Sequence, residues 1–327
     1  MDRGSQTRRL LTGTLLAAAC LALAAAAADV PLRAAPLRAA RWLPAERLPQ
    51  ALAYAPNECL TTAADPQTAR RIAIGRAAFR TPLLLGGQAA RAGLSCDGCH
   101  RNGRGNPDFQ FPGLSGAPGT ADVTSSLMSS HRGDGVANPT AIPDLAGPAQ
   151  SLKISRKRSG RALETFVRGL IVEEFDGPEP TRLTLDSVAE YVRALSPQAC
   201  PGTAQHRIVL ADYLSDARAA MRATHYALDA HDPATARLML SSARTALGMI
   251  DERYAGPELA RDRQLIRDAD LELAAIQNAI DARAPDTSVR IAAWLARMPR
   301  WSEPLQHNES VSLFNPKRLA VTGSSGE

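Results

Sequence analysis

Cys96-Asp97-Gly98-Cys99-His100 is the stretch of this chain whose residue types and spacing define a chemistry. Two thiols separated by two residues and followed at once by histidine form the attachment pattern of a c-type haem. Each cysteine adds to one vinyl group of the porphyrin through a thioether, and one turn of chain spans both vinyls. His100, next in line, reaches the iron as its proximal ligand. Three other readings of a Cys-x-x-Cys pair fit less well. Structural zinc needs about four ligands, normally as two paired knuckles, and the chain has one such pair. A thioredoxin-like dithiol wants a βαβ context, whereas the flanks here are Gly-rich. A disulfide at this spacing is strained and leaves His100 unexplained. The expectation is one covalently attached haem c, held by Cys96 and Cys99, with His100 on the iron.

The elements that must deliver and position this motif begin with an export signal. Arg3, Arg8 and Arg9 precede an apolar run from Leu10 to Leu23 and an Ala-rich stretch ending at Ala28, so 1–28 reads as a signal peptide. Its apolar core is shorter than the roughly 20 residues that span hydrocarbon. Cys20 lacks the leucine three positions earlier that a lipoprotein site would have; Ala17 stands there. No later stretch is long and apolar enough to cross a membrane, so the expectation is a periplasmic protein with no integral span after cleavage. Once Cys20 leaves with the signal, Cys59 and Cys200 remain beside the haem pair. In an oxidising compartment they are expected to form a disulfide around the motif, the alternative being two buried free thiols.

With 327 residues the chain is long enough for two domains. Aromatic content is only 4% and alanine is abundant, which favours helix over sheet, so the fold class expected is all-α. A net charge of +5 suits an acidic protein partner or a weak membrane contact. No nucleic-acid motif is visible. Residues 29–56 read as an extended or partly helical arm. Asp65-Pro66 starts a helix running from Thr68 to Phe79, which Thr81-Pro82 ends. Residues 101–150 are dense in Gly, Pro, Asn and Ser, a long loop of the kind that wraps a functional surface. Helices resume at 161–171 and Leu185–Leu195. From 204 to 300, apolar stripes such as Leu210, Leu214, Ala217 and Met221 recur between Asp-Pro and Gly-Pro breaks, predicting an antiparallel helical bundle. The architecture expected is a c-type cytochrome haem domain at 57–200, the bundle at 204–300, and a flexible tail at 301–327.

Around the motif the sequence resembles the bacterial di-haem cytochrome c peroxidase family, which includes the enzyme that matures methylamine dehydrogenase. The residues that carry the likeness are Ile74-Gly75-Arg76-Ala77-Ala78-Phe79, Leu94-Ser95 with the motif, Ile142-Pro143-Asp144-Leu145, Leu163-Glu164-Thr165-Phe166-Val167 and Val188-Ala189-Glu190-Tyr191-Val192-Arg193-Ala194-Leu195. Their order is the family's order over about residues 70–200. The resemblance implies a helical haem fold and redox chemistry with another haem protein. This chain departs from it in carrying one haem motif where the family has two. The family's second axial ligand, often Met, falls shortly before the Leu163 helix, and Leu152 to Arg158 there contains neither Met nor His.

Candidates for the far side of the iron therefore come from the Gly/Pro-rich loop: Met128, expected as the sixth ligand, or His131, with an open site as the alternative. A thioether would raise the potential and a second histidine would lower it. Lys153, Arg156, Lys157, Arg158 and Arg161 form a basic run suited to steering an acidic redox partner or to pairing with haem propionates, or else a solvated face. Glu173 and Glu174 are acid/base candidates should peroxide be the substrate. His206, His225 and His231 read as surface or boundary residues. The function expected is electron transfer by an exported mono-haem cytochrome, with a redox partner protein that is itself a haem protein. Peroxide reduction at a five-coordinate iron, or redox sensing with the bundle as the docking part, are the alternatives.

Overall fold

The structure, a computed structural model, describes residues 47–323 apart from Ser126, Arg132 and 201–203, together with Leu37 and Leu43. The signal peptide, most of the N-terminal arm and the last four residues expected in the tail lie outside the described residues. The chain is mostly helical, in line with the all-α expectation. Its described elements begin with α1 (Leu48–Ala53) and β1 (Tyr54–Pro56). The haem-motif segment follows with α2 (Pro66–Arg80), α3 (Gly87–Ala92), α4 (Cys96–Cys99), and the paired short strands β2 (Thr120–Ala121) and β3 (Thr140–Ala141). Then come α5 (Ala162–Gly169), a π turn (Leu170–Glu174) and α6 (Arg182–Ala194). After β4 (Gln205–Arg207), four long helices run as α7 (Leu210–Asp229), α8 (Pro233–Arg253), α9 (Ala260–Asp281) and α10 (Thr287–Asn308), closed by α11 (Pro316–Gly323).

α2 shows why local sequence makes these elements. The Asp65 carboxylate caps its first turn by accepting from the Thr68 backbone N–H at 2.9 Å, Pro66 fills the first helical position, and Thr81 turns the chain extended before Pro82. One face of α2 buries Ile74, Ala78 and Phe79. That face crosses α6 so closely that a Cβ at Gly75 would lie 1.9 Å from the Ser187 carbonyl oxygen, so the crossing admits only glycine. α2 packs on α6 on one side and on α7 and α8 on the other. The described residues from Leu37 onward fall within one compact unit.

Cys59 and Cys200 are disulfide-bonded across a sequence separation of 141 residues. β1 pairs antiparallel with β4 beside this bridge, Tyr54 opposite Arg207, and ties the arm to the start of the bundle. Residues 101–150 are irregular apart from short turns and the β2–β3 pair, as their composition predicts. The flexible tail expected from 301 needs correction. α10 continues through Pro299 and Pro304 to Asn308, Leu305 is fully buried, and Phe314 is packed against the rings of Tyr213 and Tyr254. The signal was present in the sequence: Trp294, Met298, Ser302 and Leu305 repeat at helical spacing, and all four are buried. Among the described residues, no helix is long and apolar enough to cross a membrane.

Candidate functional site

The site is built on α4, a single turn in which the Cys96 carbonyl accepts the His100 backbone N–H at 2.8 Å. Cys96 and Cys99 are free thiols, half-buried, and pack against the main apolar core. Burial pushes both thiols up to about 12, with the charge of Asp97 adding to the rise at Cys96. A dithiol redox pair needs the opposite, a thiol pKa lowered toward neutrality. A zinc reading lacks its remaining ligands, since among the described residues no three His, Cys, Asp or Glu side chains converge on one point.

His100 has one ring nitrogen engaged by the backbone. Its Nδ1 lies 3.0 Å from the Pro143 carbonyl oxygen. A carbonyl only accepts, so Nδ1 carries the hydrogen and Nε2 keeps its lone pair for a metal. Burial holds the imidazole pKa down at about 4 against the opposing pull of Pro143 and Asp144, so the ring is neutral at pH 7. The Phe79 ring stands 6.4 Å from the imidazole, tilted, and the Tyr191 ring packs against Phe79 at 5.1 Å, also tilted. A ligating histidine whose other nitrogen donates to a backbone carbonyl is the usual arrangement in metal sites. The donor set therefore fits haem c: two thiols on one turn and one neutral imidazole with a fixed tautomer.

Behind the motif lies an ion network that the sequence alone does not reveal. Arg76 donates from Nε to both Glu58 oxygens at 2.8 and 3.0 Å and from Nη1 to Asp216 at 2.7 Å. Arg80 reaches Asp216 at 2.9 Å, Glu58 at 3.1 Å and Asp97, inside the motif, at 3.6 Å. The Tyr191 hydroxyl donates to Glu58 at 2.7 Å. Asn102, in the left-handed region at φ 53°, donates its backbone N–H to Asp97 and its side chain to Pro56 O. Burial pushes the Asp97 carboxyl up, against Arg80 and the Asn102 hydrogen bond. The motif is thus fastened to α2, to β1 and to α7 of the bundle.

Met128 is buried, 4% exposed, in the same apolar core as Phe109, Phe111 and Leu163. His131 lies at the surface, with Nδ1 2.8 Å from an Asp176 oxygen that holds it there. Glu174 is buried at the end of the π turn, whereas Glu173 is exposed near Arg168. The basic run is largely committed: Arg156 donates to Leu145 O, Gly147 O and Leu195 O, Arg158 pairs with Glu190, and Arg161 pairs with Asp186. His206 and His225 sit beside Asp212 and Asp229 on the bundle. A cavity of about 240 Å3 opens behind the motif between Leu94, Asp97, Arg101, Ile208 and Arg253, but neither cysteine nor His100 lines it. The chain matches no known protein family, no curated protein and no solved structure.

Proposed function

We propose that the chain is an exported mono-haem c-type cytochrome, a haem domain continued by a helical bundle, that carries single electrons to or from another haem protein. The observation that supports this most is the pairing of Cys96 and Cys99 on one turn with a neutral His100 whose Nδ1 is spoken for by Pro143 O. Cys96 and Cys99 hold the group covalently, and His100 offers Nε2. When bound, haem supplies a one-electron iron couple. Pro143 fixes the tautomer and ring angle of His100 and raises its donor strength. Phe79 and Leu94, both buried, keep water from the imidazole side of the motif. Asp97 and Asn102 hold the exit of the motif in place. Met128 is the proposed sixth ligand. The likeness to the di-haem peroxidase family rests on the ordered motifs and on no other comparison.

The test is the absorption spectrum and pyridine haemochrome of the exported protein. Thioether-linked haem in the wild type, lost in the Cys96→Ala/Cys99→Ala variant, is the expected result. Covalent haem retained in that variant would overturn the assignment. Low-spin spectra in both oxidation states that turn high-spin in Met128→Ala are expected for electron transfer with Met128 on the iron. A high-spin ferric spectrum that changes on adding peroxide would instead establish peroxide reduction.

A further inference from the structure

The carbonyl that orients His100 belongs to proline, which has no backbone N–H and cannot anchor itself by donating a hydrogen bond. Its position is set by its neighbours. Asp144, the next residue, is gripped by Arg104: Nε donates to both carboxylate oxygens at 2.8 Å, and Nη2 donates to Oδ2 at 2.7 Å. The same guanidinium turns its remaining nitrogen to the disulfide, with Nη1 3.2 Å from Cys59 Sγ and 3.4 Å from Cys200 Sγ. Asp144 also closes the turn after it, its carboxylate accepting from Ala146 N and its carbonyl from Gly147 N, each at 2.9 Å. Gly105, directly after Arg104, lets the two backbones touch: a Cβ there would lie 3.1 Å from Ile142 O. Cys59 is fully buried, and its carbonyl accepts from Ser196 N at 2.8 Å, so the sulfur end of the chain of contacts is fixed.

We propose that Arg104, acting through Asp144, is a positioning residue for His100, and that the Cys59–Cys200 disulfide is the anchor it is set against. Stability alone does not explain the arrangement. The Arg104 and Asp144 side chains are 27% and 36% exposed, and ion pairs so exposed contribute on the order of 0–1 kcal/mol. The planar fork matters because its five donors have fixed directions. Three reach the carboxylate and the disulfide, and together they set where Pro143 O meets Nδ1. A firm Nδ1–H···O bond makes the imidazole a stronger donor and favours the oxidised metal. Loosening it favours the reduced metal. The inference rests on the haem reading above.

The experiment is an equilibrium redox titration of the exported holoprotein in the wild type, Arg104→Lys and Asp144→Asn, with Arg237→Lys as the control. Arg237 pairs with Asp281 in the bundle, remote from the motif in sequence. Covalent haem is counted in each by pyridine haemochrome. Removing the hydrogen-bond partner of a metal ligand typically changes metal affinity or activity by about tenfold or more, and these residues lie one step further out. The reduced-to-oxidised ratio at fixed ambient potential is therefore expected to rise about threefold to tenfold in both variants, tenfold being about 59 mV for one electron. The His100 Nδ1–H proton of the reduced protein should also exchange faster with solvent by NMR. Arg104→Lys keeps the charge and stem, so it decides the matter if Asp144→Asn does not fold. Full haem with unmoved potential and unmoved exchange would overturn this assignment alone, as would an equal shift in Arg237→Lys. A wild type without covalent haem would overturn the reading beneath it.

Discussion

Glu58→Gln tests the ion network that fastens the Cys-x-x-Cys-His motif to the rest of the fold. Burial by itself would raise the Glu58 carboxyl, but the guanidinium groups of Arg80 and Arg76, with hydrogen bonds from Arg76 and Tyr191, outweigh it and bring the pKa from 4.5 to about 2. The side chain is only 16% exposed, so solvent screens little of this. At 1.36 kcal/mol per pH unit the difference is worth on the order of 3 kcal/mol. The folded pKa is the lower one, so the stabilisation is complete above about pH 4.5 and is lost as pH falls toward about 2. Glutamine binds no proton in this range. The charged groups facing Glu58 are Arg76 and Arg80 on α2, Asp216 on α7 and Asp97 on α4, and they are common to both proteins. The expected result is a variant about 3 kcal/mol less stable near pH 6, with the gap closing toward pH 2. Urea unfolding of both exported proteins across that range measures it. A gap that stays constant with pH, or one under 1 kcal/mol near pH 6, would refute the reasoning.

Gly75→Ala should destabilise by about 2 kcal/mol or more in thermal unfolding. The helix-propensity gain of about 1 kcal/mol is outweighed by a methyl placed 1.9 Å from Ser187 O, where overpacking alone costs about 1–3 kcal/mol and the backbones must part. Replacing Cys59 and Cys200 together by serine frees a 141-residue loop and should cost about 5 kcal/mol in the chain-entropy picture, read from urea midpoints without reductant. Phe314→Ala should cost about 3–4 kcal/mol, because the ring is 2% exposed and lies 4.8 Å from the Arg253 guanidinium; a neutral outcome would mean that the C-terminal segment is not part of the core.

Local chemistry was legible in the sequence and long-range electrostatics was not. The spacing of Cys96, Cys99 and His100 is a one-turn property, so five letters suffice to expect both thiols and the imidazole on one turn, where α4 and its C-cap carry them. The cap at Asp65, the break at Thr81-Pro82 and the apolar stripes from Leu210 onward are equally local, and α2, α7, α8 and α9 form where those signals stand. Cys59–Cys200 followed from elimination among five cysteines, not from geometry. By contrast, Arg76 and Arg80 meet Asp216 across 140 and 136 residues. Nothing in a run of charges says which carboxylate will face which guanidinium. Pro143 and Asp144 stood out only as part of a family-like pattern, with no role that the letters supply. The tail was misread for a physical reason. The polar Gly-Ser-Ser-Gly-Glu end suggests a loose segment from 301, yet α10 runs on to Asn308, even through Pro299 and Pro304, because Trp294, Met298 and Leu305 bury one face.

The same contacts join the Cys-x-x-Cys-His turn to the long C-terminal helices. α2 holds the motif through Arg80 and Asp97, and α2 has two partners. α6 takes the Gly75 face, while α7 and α8 cover the other side. Arg76 and Arg80 bring two positive charges into a partly buried space, where Glu58 meets both and Asp97 lies 3.6 Å from Arg80 while accepting the Asn102 backbone N–H. Asp216 from α7 meets both guanidinium groups, at 2.7 and 2.9 Å. Removing one partner from such a cluster leaves an uncompensated buried charge, which is far more costly than exposing a surface pair. α7 thus supplies a third carboxylate, beside Glu58 and Asp97, that meets both guanidinium groups. A chain cut at about residue 200 would have to repack α2 or hydrate Arg76 and Arg80, and it would do so one ion-pair contact, the 3.6 Å approach of Arg80 to Asp97, away from the turn that carries both cysteines.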